Sequence, residues 1–173
     1  MIRIIPVLIL LAWGGGSFAS MSPAVALPIA DARHLLARTG FGLPRPDEIM
    51  VLADRSRDQA VDHILGGLLS TPSTETPSWV GDPMPDWKVR KNWSRARKRA
   101  FNKTNQQRWR ILQKWWADEM LATSSPLTER LVLFWHNHFT SSFDAVKWVP
   151  YLYAQNALFR RHAAGSFRDL LMA

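Results

Sequence analysis

The sequence predicts an all-α protein, folded as an irregular multi-helix bundle. Apolar residues recur at helical spacing through most of the chain after residue 27, and serines and prolines stand where helices would start. No stretch shows the alternation of a half-buried strand. The 173 residues are enough for one domain with a real core.

The first stretch reads as a leader rather than part of that bundle. In MIRIIPVLILLAW, Arg3 supplies a positive n-region and Ile4 to Trp13 a short apolar h-region. Ala24-Val25-Ala26 has the A-x-A form of a cleavage site, with an earlier cut after Ala19 as a variant. A bilayer span needs roughly 20 apolar residues, so residues 1–26 are read as a cleaved signal peptide; a retained anchor is the competing reading. The expected location is therefore exported, in the periplasm or cell envelope. With no cysteine in the chain, the fold uses neither disulfides nor thiolate chemistry.

Residues 27–69 form an N-terminal helical segment. DARHLLARTG takes Asp31 as N-cap and Gly40 as stop. Gly42, Pro44 and Pro46 make a turn, and Pro46-Asp47-Glu48 opens a second helix with Pro at its first position and acids at its positive end. Ser56 and Gln59 have capping-box spacing for a third helix, whose apolar face is expected to run through Val61, Ile64, Leu65, Leu68 and Leu69. STPSTETPSWVGDPMPD, residues 70–86, breaks all periodicity and reads as a Pro/Ser/Thr-rich linker.

Residues 87–173 form the second helical segment. Trp87 to Arg110 is rich in Lys and Arg, holds no acid, and carries Trp87, Trp93 and Trp109. It is expected to run into a long helix, because Trp109, Leu112, Trp116 and Met120 make one stripe that Trp115 widens. Ser125-Pro126 starts the next helix, with Leu127, Leu131, Phe134, Trp135 and His138 at helical spacing. A further helix runs from Trp148 to His162, and Ser166 recaps the chain for a last one.

Three sets of residues are candidates for chemistry. In LVLFWHNHF, His136 and His138 would share a face on a strand, but on a helix they lie about 200° apart and cannot chelate one metal together. No metal site is predicted. HNH nucleases disperse their residues over a ββα-metal fold, so the contiguous letters His-Asn-His do not point there. His138 shares the stripe of Leu131 and Phe134 and is expected to be the more buried. Each histidine is either a satisfied core residue or a catalytic group working with partners elsewhere.

The basic tryptophan-bearing segment, with Trp93 and Arg97 as candidate binding residues, is either a solvated face whose Arg stems cover the rings or a surface for an anionic envelope component. Nucleic acid fits poorly with export, although cations beside aromatic rings suit single strands. Asn156 and Arg160, at i and i+4 beside Tyr151, Gln155 and His162, could line a cleft against the His136 helix. The sequence contains no Gly-rich phosphate loop, no G-x-S-x-G elbow, no H-E-x-x-H and no C-x-x-C-H, and the cofactor is left open. The formal charge of +8, about +7 without Arg3, suits an anionic partner.

ARHLLARTGFG (Ala32 to Gly42), RWRILQKWWADEMLATSSPLTERLVLFWHNHFTSS (Arg108 to Ser142) and YAQNALFRRHAAGSFRDLLMA (Tyr153 to Ala173) together resemble the domain-of-unknown-function family 1800 (DUF1800). The resemblance implies a bacterial, mostly helical, commonly exported protein, and it implies no activity. It suggests as partner an exported sulfatase-like protein of a neighbouring-gene family. Members of the family normally continue past the FRDLL run, so this chain is expected to be an N-terminal fragment of a larger helical domain. Two functions follow as expectations: an envelope binding or assembly module, or a hydrolytic or metal-dependent enzyme completed by a missing C-terminal half. An inactive truncated product is the third.

Overall fold

The computed structural model describes residues 25–139 and 141–173, so all of the expected signal peptide except Val25 and Ala26 lies outside the described residues. Among those residues every regular element is a helix and there is no strand, as the periodicity predicts.

The first three helices, α1 (Ile29–Thr39), α2 (Pro46–Ala53) and α3 (Arg57–Gly66), close around a small core of Leu27, Ala32, Ile49, Leu52, Ala53 and Ala60. α1 begins earlier than expected, so Asp31 lies in its first turn instead of capping it. The carboxylate pairs there with Arg57 (3.0 Å) in an exposed bridge between α1 and α3. α2 carries its proline at the first turn, and Glu48 accepts the Arg45 N–H (3.1 Å). The Ser56–Gln59 capping box of α3 is reciprocal: Ser56 Oγ accepts from the Gln59 N–H and Gln59 Oε1 from the Ser56 N–H.

α3 stops at Gly66, which corrects the expected apolar face. The Gly66-Gly67 pair weakens helical propagation. Leu68 and Leu69 fall beyond the helix, and the Leu69 N–H turns to Thr128 Oγ1 (3.0 Å). Val61 and Leu65 are exposed, while Ala60 is fully buried and Ile64 packs beside it.

Residues 70–86 are irregular but anchored. The backbone N–H groups of Ser73 and Thr74 donate to the buried Glu119 carboxylate, Trp79 packs into the second core, and Asp82 pairs with Arg108. The basic segment runs into a long helix as expected, with a short helix before it. α4 (Trp87–Lys91) is capped by Asp86 and ends at Asn92, and Ser94 then caps α5 (Arg95–Ala122) through the Arg97 N–H. α5 has 28 residues and a length of roughly 42 Å.

α6 (Pro126–His138), the short α7 (Phe143–Val146), α8 (Val149–Arg161) and α9 (Phe167–Met172) complete the chain. α5 and α8 enclose Leu112, Trp115, Val149 and Leu152, while α6, α8 and α9 enclose Val132, Phe159 and Leu170. The first three helices reach this bundle where Arg130 donates to the Gly40 carbonyl (2.6 Å).

One side chain sets where α8 begins. Lys147 takes a left-handed turn (φ 54°), and the buried Asn105 of α5 spans that turn. Its amide donates to the Lys147 carbonyl (2.9 Å) and accepts the Val149 N–H (3.2 Å). Replacing Asn105 by Ala strands both backbone groups, for an expected loss of about 2–4 kcal/mol in urea denaturation. The exposed neighbour Gln106→Ala is the control; equal stability of the two variants would remove Asn105 from this role.

Candidate functional site

The structure brings His136, Asn156 and Arg160 together and leaves His138 outside. The buried stripe of α6 runs through Thr128, Glu129 and Val132 to the partly buried His136, not through Leu131 and Phe134. The expectation of an inward His138 is therefore corrected. His138 is exposed among the rings of Phe134, Trp135, Phe139 and Phe167, and Phe134 itself is 54% exposed. The α6 register is set instead by a buried charged group, Glu129.

Glu129 and Arg160 form an ion pair that is almost entirely removed from water, with side-chain exposures of 1% and 0%. Arg160 Nε donates to Oε1 (2.8 Å) and Nη2 to Oε2 (2.9 Å), a two-point fork of the kind a guanidinium makes with a carboxylate. Trp116 Nε1–H adds a third donor to Oε2 (2.8 Å), and the guanidinium lies 5.6 Å from the Trp115 ring centre. This one cluster ties α5, α6 and α8 together.

His136 sits beside it, 4.7 Å from the Trp116 ring centre and 4.9 Å from that of Phe159. Burial, reinforced by the Arg160 charge, pulls its pKa down to about 4. The contact with Asn156 agrees. Its amide nitrogen lies 3.3 Å from His136 Nε2, a pairing in which a neutral imidazole accepts through Nε2. Glu119, also fully buried, is the second acid of the region. Burial alone would raise its pKa, but the Ser73 N–H, the Thr74 hydroxyl and N–H, and the Arg160 charge outweigh it and hold the carboxyl below its usual value.

Chemically, the cluster is a neutral imidazole beside a buried two-point ion pair. Arg160 Nη1 and Asn156 Oδ1 are buried there without partners. Asn156 and Arg160, candidate binding residues from sequence, are 3% and 2% exposed and meet protein groups. Among the described residues no three His, Asp or Glu side chains are grouped to hold a metal. Glu119 and Glu129 escape a reading based on periodicity. The signal that could have found Glu129 is its i, i+3, i+7 spacing with Val132 and His136.

A second locus lies at the α4–α5 corner, where Trp93 and Arg97 meet. The Arg97 guanidinium covers the Trp93 ring at 4.6 Å, and Lys91 covers Trp87 at 5.5 Å. From Trp93 the rings continue inward: Phe101 meets its edge, Trp148 stacks on Phe101 at 5.3 Å, and Arg108 sits 5.5 Å from both Trp148 and Trp79. Beside Trp93 opens a cleft of about 330 Å³, lined by rings and cations. Eleven of the chain's 22 Lys and Arg, and no acid, lie between residues 87 and 117. Among the described residues no helix is long and apolar enough to cross a membrane.

The family model described as a protein of unknown function (DUF1800) matches residues 34–173. The chain belongs to that family. No curated protein and no solved structure matches it.

Three predictions follow from the buried groups. Arg160→Met alone leaves Glu129 charged and buried, with an expected loss of about 3–5 kcal/mol, whereas adding Glu129→Leu recovers part of it. Additive losses in denaturant titrations would show that the pair is uncoupled. In the pH dependence, the unfolded chain protonates His136 near 6.5 while the folded protein holds it neutral down to about 4. The unfolded state thus binds more protons in that window, and stability falls as pH drops from 6.5 toward 4. His136→Gln should flatten this part of the profile, and an unchanged slope would exclude His136 as its source. Glu119→Gln should act at lower pH, where protonation of the native carboxylate removes the stability present above its unfolded value.

Proposed function

We propose that this member of the DUF1800 family is an exported protein that seats on an anionic component of the cell envelope through the α4–α5 corner. The observation that carries the reading is the concentration of uncompensated positive charge there. Among the residues from 87 to 117, Lys88, Lys91, Arg95, Arg97, Lys98 and Arg99 are exposed, and within that span no carboxylate answers them. Such a field attracts anionic surfaces over about 8 Å at physiological salt and contributes about 1 kcal/mol per cation held near a charged bilayer. Trp87 and Val89 are 59% and 53% exposed on the same short helix, giving apolar groups that can settle among headgroups. Export rests on the leader-like residues 1–26, and the sulfatase-like partner on family resemblance; an envelope location suits both.

The enzyme reading has one observation in its favour. The neutral His136 lies beside two buried polar atoms without partners, Arg160 Nη1 and Asn156 Oδ1. Stoichiometric metal in the purified protein, lost on His136→Ala or His138→Ala, would support it. A metal-free protein that loses only melting temperature on His136→Ala returns the residue to the core.

Vesicle co-sedimentation tests the main proposal. The protein should pellet with phosphatidylglycerol vesicles and not with phosphatidylcholine, and high salt should release it. Arg95→Glu with Arg99→Glu, both on the exposed face, should weaken binding at least tenfold at unchanged melting temperature. Indifference to lipid charge would sink the idea.

A further inference from the structure

The cleft at the α4–α5 corner has more specific chemistry than a charged face, and the following inference rests on the envelope reading above. Its walls are Trp87 and Trp93 on the aromatic side and Arg90, Lys91, Lys98 and Asn102 on the polar side, with no carboxylate among the lining residues. The neighbouring acid in sequence, Asp86, is engaged in accepting the Lys88 N–H (2.7 Å). Two donors in this wall, Arg90 Nε–H and Trp93 Nε1–H, are buried and have no acceptor. Buried N–H groups are nearly always paired, so two in one small cleft are an anomaly that an acceptor-rich ligand resolves. Lys98 is held over the same corner by its hydrogen bond to the Lys91 carbonyl (3.2 Å), which places two ammonium groups at the rim.

We infer that this cleft is a phosphomonoester site. A phosphomonoester carries a charge of about −1.5 to −2 at pH 7 and three strong acceptor oxygens. It can thus answer the two N–H donors and the two lysines at once. A carboxylate carries a single charge and so balances only one of the two lysines. The donors are shielded from solvent in the free protein, so the cleft wall opens locally on binding, and the long, exposed side chains of Lys91 and Lys98 turn onto the phosphoryl oxygens. The volume of about 330 Å³ exceeds what a phosphoryl group fills, which leaves space for the organic part against Trp87. The monoester has two natural sources, a lipid headgroup such as phosphatidate and a soluble metabolite.

The test titrates ¹⁵N-labelled protein with glycerol 3-phosphate and with sulfate at constant ionic strength. The indole N–H signal of Trp93 is identified by its loss in Trp93→Phe. That signal should shift saturably with glycerol 3-phosphate, with at least tenfold weaker response to sulfate. Lys98→Gln, an exposed change that leaves the fold intact, should weaken phosphate binding about tenfold. Phosphatidate vesicles should bind more tightly than phosphatidylglycerol vesicles of equal charge, and Trp93→Phe should erase that preference while keeping general anionic binding. A preference for phosphatidate over glycerol 3-phosphate supports the lipid source, and equal affinity the soluble one. No saturable Trp93 shift, or equal response to sulfate, overturns the phosphomonoester site. If phosphatidylglycerol binding persists in that case, the envelope reading stands; if it too is absent, both fall.

Discussion

The Glu129–Arg160 pair is the constraint around which the helical bundle is arranged. Two charges taken out of water are tolerated only when their geometry and remaining hydrogen bonds are nearly complete. The fork between them, the Trp116 N–H and the Trp115 ring supply most of that completion, and they come from α5, α6 and α8 together. None of the three helices can slide or rotate without breaking a charged contact. Apolar packing at Val132, Phe159 and Leu170 is non-directional, whereas the ion pair is directional and fixes the register.

That selection explains what the sequence revealed and what it concealed. Helix starts were legible because they are local: the Ser56–Gln59 box, Pro46, Ser125-Pro126 and Ser166 act within a few residues of themselves. The orientation of α6 was not, because it depends on a contact 31 residues away. The apolar spacing counts Phe134 as inward, whereas the fold exposes it and buries Glu129. His138 followed Phe134 to the surface, and His136 followed Glu129 inward. The end of α3 was missed for a different reason. Leu68 and Leu69 continue the period, but the Gly66-Gly67 pair ends the helix first.

The candidate sites divide along the same line. Trp93 and Arg97 are neighbours through a local i, i+4 relation, which the helical period makes legible in the sequence. Asn156 and Arg160 form a real polar cluster with His136, yet their chemistry is turned inward. Glu119 had no distinguishing signal at all. Its importance lies in holding an irregular segment, residues 73 and 74, whose position no periodicity encodes.

The amino-terminal turn of α5 works against its own backbone. A helix begins with unpaired N–H groups and an effective positive end, where acids are favoured and cations repelled. α5 opens with Arg95, Arg97, Lys98 and Arg99 and has no acid in its first turn. Ser94 satisfies one N–H, but the charge conflict stays unrelieved within the helix. The corner therefore carries a built-in electrostatic frustration, in which the free protein holds like charges together and a counter-anion removes the strain. Occupancy and local order at that corner should rise and fall as one property, so the first turns of α5 are where ligand binding would be felt as stiffening rather than as movement.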